Sequence, residues 1–134
     1  MKKSPEYGTE IEFAYGRRLG WYAFVRLTKP KIVIETGVDQ GVGACVLSSA
    51  ILKNKDEGFD GEYIGTEINP SAGKLFQEPY NKVGKIIYQD SLETLSKINV
   101  GIDLFINDSD HSSEYEYKEY LEIEKKLTPN SFIL

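Results

Sequence analysis

The sequence predicts an α/β fold, a doubly wound parallel sheet with helices on both faces. Three observations lead there. Five short runs rich in Ile, Val, Phe and Tyr recur at 31–35, 62–67, 85–89, 102–108 and 131–134. The stretches between them carry apolar residues at helical, three-to-four spacing. The first run also passes directly into a glycine-rich turn, "ETGVDQGVGA" at 35–44, and then into a helical pattern. Strands alternating with helices at this rhythm are joined by right-handed crossovers, which forces parallel pairing.

The elements follow in order. Residues 11–27 read as a helix, with Phe13, Leu19, Tyr22 and Phe24 or Val25 available to pack, although Gly16 and Gly20 lower its propensity. Residues 1–28 thus form an N-terminal helical segment ahead of the βα repeats of 29–134, all in one domain. "KIVIE" (31–35) is the first strand, and residues 41–55 form a helix that turns Val42, Val46, Leu47, Ala50 and Ile51 inward. "EYIGTE" (62–67) is the second strand, and Pro70 opens a helix reaching about Tyr80. "KIIYQ" (85–89) is the third, after which Ser91 caps a short helix with Leu92, Leu95 and Ile98 inward. "IDLFIND" (102–108) is the fourth. Ser112 or Ser113 caps a helix to about Lys126, which Thr128 and Pro129 end, and "SFIL" (131–134) opens a fifth strand.

Composition narrows the function classes. A chain of 134 residues with 40% hydrophobic content can bury one real core. No apolar run approaches the ~18 residues of a bilayer span. "MKKSPEYGTE" has no apolar stretch behind its lysines, so no secretory leader is expected. The single cysteine, Cys45, excludes an internal disulfide and suits a reducing cytoplasm. The net charge, 16 − 21 = −5, gives no field to hold a phosphate backbone, so neither nucleic acid nor membrane is an expected partner.

In a doubly wound sheet, ligands bind beyond the carboxyl ends of the strands. The four interior loops there begin at Glu35, Glu67, Asp90 and Asp108, each an acid. In the first, Gly37 and Gly41 let backbone approach a ligand, and the helix behind them offers free N–H groups. The turn lacks the Gly-Lys-Ser/Thr of a phosphate loop, and its G-x-x-x-G-x-G spacing is not the dinucleotide fingerprint. A glycine turn with an acid and no lysine suits a ligand carrying both a cation and a carboxylate. An ordinary tight turn is the plainer reading. In the second loop Glu67, followed by Ile68, can accept both hydroxyls of a ribose diol. In the third, Asp90 can accept from an adenine amino group with Ser91 beside it, or the pair simply caps a helix. In the fourth, Asp108, Asp110 and His111 crowd one strand end, which favours a functional role for Asp108. His111, the only histidine, is either a structural residue or a base. The aromatic stretch "EFAYGRRLGWYAF" is expected to pack, and "EYEYKEY" to be a half-solvated helix face.

Taken together, these residues resemble the class I S-adenosylmethionine-dependent methyltransferases, which are Rossmann-like. The resemblance is to the small-molecule O-methyltransferase-like branch, with the motifs E-x-G-x-x-x-G and F-I-D-x-D-H-S-x-E. They stand here as Glu35-Thr36-Gly37 with Gly41, and as Phe105 to Ser112 with Glu114 two further on. Asn107 departs from the pattern, being polar where the family stays apolar.

The resemblance implies transfer of a methyl group to a small-molecule acceptor, with a hydroxyl expected. It implies that Glu35, Gly37 and Gly41 face the methionine part of S-adenosylmethionine, that Glu67 and Ile68 hold the ribose, and that Asp90 and Ser91 contact adenine. Asp108 and His111 would be catalytic, Asp108 would also contact the cofactor, nearest the sulfonium methyl and the acceptor, and it would be the first ligand of a Mg²⁺ ion if one is used. The full family fold has further strands after the fifth, so a truncated form is expected, with an open apolar edge that invites self-association. Two other readings remain at this point. One is a Rossmann domain for NAD or a nucleotide sugar. The other is a cofactor-binding fragment without catalysis.

Overall fold

The computed structural model describes residues 7–109 and 112–134, with side chains from Arg18 onward. The elements are α1 (Tyr7–Thr28), β1 (Ile32–Thr36), α2 (Val42–Asp56), β2 (Glu62–Thr66), β3 (Gly84–Ile87), α3 (Ser91–Lys97), β4 (Ile102–Asn107), α4 (Ser113–Ile123) and β5 (Leu127–Ile133). The five strands form one sheet in the order β3-β2-β1-β4-β5, and every neighbouring pair is parallel. The order reverses between β1 and β4, so the switch point lies at their tips.

Period-two alternation along the strands explains the two layers. Val33, Tyr63, Leu104 and Ile106 point to one face, where they pack with Val25 of α1 and Ala44, Leu47, Ala50 and Ile51 of α2. Ile34, Ile64 and Phe105 point to the other, against Leu95 of α3 and Ile123 of α4. Both faces are covered, as apolar parallel strands require. Trp21, Tyr22 and Phe24 pack against the first cluster, so this part of the aromatic N-terminal stretch does pack on the fold. The rest of that stretch lies before Arg18, outside the described side chains.

Four expectations are corrected. No α-helix forms over 70–80, where the structure has turns and then a single 3₁₀ turn at Tyr80–Lys82. The backbone there bonds outward instead. Gly73 N–H donates to the Asp39 carbonyl (2.6 Å) and Leu75 N–H to that of Gln40 (3.1 Å), and Gly73 has a left-handed φ of 73°. Hydrogen bonds that a helix would keep local are used to tie this segment to the β1–α2 loop. The helix expected to reach Lys126 ends as an α-helix at Ile123 and tightens into a 3₁₀ turn over Glu124–Lys126. The strand expected from Ser131 begins at Leu127, and Thr128 and Pro129 lie inside it. Pro129 is tolerated because β5 is an edge strand with an irregular register, Ile102 pairing Leu127 while Leu104 pairs Phe132. Finally, α1 runs through Gly16 and Gly20 from Tyr7, because packing against α2 outweighs the propensity of two glycines.

Candidate functional site

A cleft of about 430 Å³ opens beyond the carboxyl ends of β1, β2, β3 and β4. Gly37 and Asp39 come from the loop after β1, and Thr66, Glu67, Ile68 and Asn69 from the end of β2 and its loop. Gln89, Asp90 and Ser91 follow β3, Asp108 and Ser109 follow β4, and Tyr115 reaches in from α4. The tips are knitted by backbone: Gly37 N–H donates to the Thr66 carbonyl (3.0 Å) and Asp108 N–H to that of Thr36 (2.9 Å).

Glu67 is held in place before any ligand arrives. One oxygen accepts from Asp39 N–H (2.8 Å) and the other from Asn69 N–H (3.0 Å). Each oxygen keeps a further lone pair for the cleft. Ile68 beside it is 75% exposed and gives the cleft an apolar wall.

Asp90 does cap α3: its Oδ1 accepts from Leu92 N–H (3.0 Å) and Glu93 N–H (3.2 Å). Its Oδ2 accepts from the Tyr115 hydroxyl (2.6 Å). Capping and lining the cleft therefore coexist in one residue. Burial and the Asp90 carboxylate both push the Tyr115 hydroxyl above its ordinary pKa. Ser91 is 7% exposed and donates to Glu119.

Two expected site residues do not line the cleft. Glu35 points to the other side of β1, among Tyr63, Trp21 and Gly43. It is 1% exposed and accepts the Tyr63 hydroxyl at 2.6 Å. Burial raises its pKa to about 8, with the nearby Asp108 adding to the effect and the Tyr63 hydrogen bond opposing it. Its place follows from alternation: Glu35 shares its face with Val33, so it turns toward α1 and α2. Gly41 is the N-cap of α2, with a left-handed φ of 100°, and the Phe76 and Gly73 backbones lie against it. Of the crowded fourth strand end, Asp108 lines the cleft, 3.8 Å from the Arg18 guanidinium. Asp110 and His111 lie outside the described residues. Among the described residues, no three His, Cys, Asp or Glu side chains group so as to hold a metal ion.

Sequence reasoning missed Glu119. It lies in "EYEYKEY", read as half-solvated, yet it is fully buried. Its Oε1 accepts from Ser91 and from Ser109 (2.9 Å), and its Oε2 accepts from Thr36 (3.3 Å) and from the Asn107 amide. One carboxylate on α4 thus ties the tips of β1 and β4 to the start of α3. Asn107, the one departure from the family pattern, is polar because it serves this acid. An acid amid three tyrosines on a helix gave no signal that it faced inward.

A doubly wound parallel sheet with an acid-lined cleft at its switch point is a Rossmann-like architecture. The methyltransferase domain model matches residues 34–134, three quarters of the chain. The chain belongs to that family. No curated protein matches it. Solved structures match closely in fold. The SAH-bound Podospora anserina methyltransferase PaMTH1 has a TM-score of 0.71 at 16% identity, over 99% of this chain and 70% of that one. The O-methyltransferase TomG from Streptomyces achromogenes, involved in tomaymycin synthesis and solved with SAM, gives 0.69 at 16% over 98% and 65%. The O-methyltransferase from Bacillus cereus, solved with SAH, gives 0.70 at 15% over 98% and 56%. The chain spans between about half and under three quarters of the length of these structures. No helix is long and apolar enough to cross a membrane among the described residues.

Proposed function

We propose that the cleft binds S-adenosylmethionine and that the chain serves methyl transfer to a small-molecule hydroxyl. One observation carries this. The described lining holds four carboxylates, those of Asp39, Glu67, Asp90 and Asp108, and no lysine or arginine, so that beside the Arg18 guanidinium 3.8 Å from Asp108 the acids stay in excess. Such a cleft favours a ligand that is cationic at sulfur and at its amine. It disfavours NAD or a nucleotide sugar, whose pyrophosphate needs a basic side chain or an open helix N-terminus. Gly41 and Val42, at the start of α2, are not among the lining residues.

In this reading Glu67 accepts the ribose hydroxyls, Ile68 covers a face of the nucleoside, and the β3 tip with Asp90 and Ser91 receives the base. Asp108 stands toward the methyl group and the acceptor. The bound cofactor supplies an electrophilic methyl whose bond to sulfur breaks as the bond to the acceptor oxygen forms. In this reading the chain aligns the acceptor and Asp108 takes its proton. The lone Cys45 supports a reducing compartment such as the cytoplasm. The edge of β5, with Phe132 and Ile133 each 45% exposed, is where a second copy would pair.

Calorimetric titration tests the reading. S-adenosylhomocysteine is expected to bind and NAD not to. The reverse pattern would assign the cleft to a dinucleotide.

A further inference from the structure

Glu119 and Tyr115 decide which hydrogen bonds the β3 tip can offer. A hydroxyl has one proton to give. The Ser91 hydroxyl gives its proton to Glu119, and the Tyr115 hydroxyl gives its proton to Asp90. Both receivers are carboxylates, which accept only. The Ser91 and Tyr115 oxygens lie 3.0 Å apart, so either could donate to the other, but each has a carboxylate oxygen nearer, Glu119 for Ser91 and Asp90 for Tyr115. Two oxygens that keep lone pairs toward the cleft suit an N–H that approaches both from the cleft side. Ser109, also on the cleft, gives its proton to Glu119 as well.

We infer that Glu119 is a specificity-determining residue: by drawing the Ser91 proton out of the cleft, it leaves the Ser91 and Tyr115 oxygens as acceptors toward the base, which favours an amino-bearing base over a keto-bearing one. The inference rests on the nucleoside reading of the cleft. Each oxygen of Glu119 already accepts two donors. A glutamine there cannot serve all four. The Asn107 amide cannot reverse its N–H as a hydroxyl can, so the glutamine oxygen stays with Asn107 and its NH₂ turns to the two serines. The Ser91 proton then has to point toward Tyr115 or into the cleft, where a keto oxygen can take it.

The experiment compares S-adenosylhomocysteine with S-inosylhomocysteine, its 6-keto counterpart, by calorimetry well below the melting temperature of each variant. The parent is expected to prefer the amino ligand by at least about tenfold, the scale of one mispaired buried polar group. In Glu119→Gln that ratio falls to about threefold or less, while Glu119→Asp, still acceptor-only, keeps the preference even where both affinities drop. A residue that merely held the fold would lower stability and leave the ratio alone. Ser91→Ala removes the acceptor without touching α4, and the ratio is expected to fall there too. A ratio that Ser91→Ala preserves overturns the inference even if Glu119→Gln does not fold. A parent that binds the amino ligand while Glu119→Gln keeps the full ratio overturns it alone. A parent that binds neither ligand overturns the proposed function and this inference with it.

Discussion

The backbone of Asp108 occupies the space that a side chain on Gly37 would need. A β-carbon on Gly37 would collide with the Asp108 carbonyl and stand 2.7 Å from the Ser109 Cα, and the residue has a left-handed φ of 80°. The glycine is therefore demanded by the crossing of two strand tips in the protein itself. Gly37→Ala is expected to lose about 2–5 kcal/mol of stability, the left-handed strain added to overpacking, and to lose ligand affinity as the tips part. Urea denaturation and a titration check both. A variant of parental stability that fails only to bind would mean that Gly37 serves the ligand alone.

Glu67 is expected to contribute through the ribose. Glu67→Ala weakens S-adenosylhomocysteine by roughly 1–3 kcal/mol, the scale of a charged hydrogen bond. Adenosine weakens by the same factor, and free adenine, which has no diol, is unaffected. The same loss for adenine would show instead that the loop holding Asp39 and Asn69 had collapsed.

Most of the fold was legible because apolar β-branched runs between helical spacings leave few other arrangements. Gly37, Glu67, Ile68, Asp90, Ser91 and Asp108 were legible as candidates because strand ends converge in such a sheet, and all six line one cleft. The misses have distinct causes. Glu35, still inside β1 and on the same face as Val33, is held toward α1 and α2, while Gly37, in the loop beyond the strand, lines the cleft. The 70–80 segment read as a helix because Pro70 is a good first-turn residue; its long-range bonds to Asp39 and Gln40 leave no local trace. Glu119 was invisible for the same reason, since its four partners are 10 to 83 residues away.

Glu35 is expected to make stability pH-dependent. Its pKa is raised to about 8 from 4.5 by burial, so the folded state holds a proton that the unfolded state has released. The stabilisation it gives is complete below pH 4.5 and is lost as pH rises toward 8. Glu35→Gln, neutral at every pH and still able to accept from Tyr63, removes that slope. The variant should gain on the parent by up to about 1 kcal/mol per pH unit between those limits. Denaturation curves at pH 5, 6, 7 and 8 measure the difference, and a difference that stays flat would mean Glu35 is ionised throughout.

Asp108 separates binding from chemistry. Its backbone is fixed by Thr36 and its carboxylate faces the cleft with Arg18 3.8 Å away. Asparagine keeps the size of the side chain and an acceptor oxygen but cannot take a proton from an acceptor hydroxyl. Asp108→Asn is therefore expected to lower turnover by about 10²–10⁴, the range for removing a general base, while the Kd for S-adenosylhomocysteine changes by no more than about threefold. Labelled-methyl transfer to a panel of small alcohols and phenols, run beside the titration, reads both quantities. Turnover equal to the parent's would assign proton removal to another group. An affinity loss as large as the turnover loss would make Asp108 a cofactor ligand only.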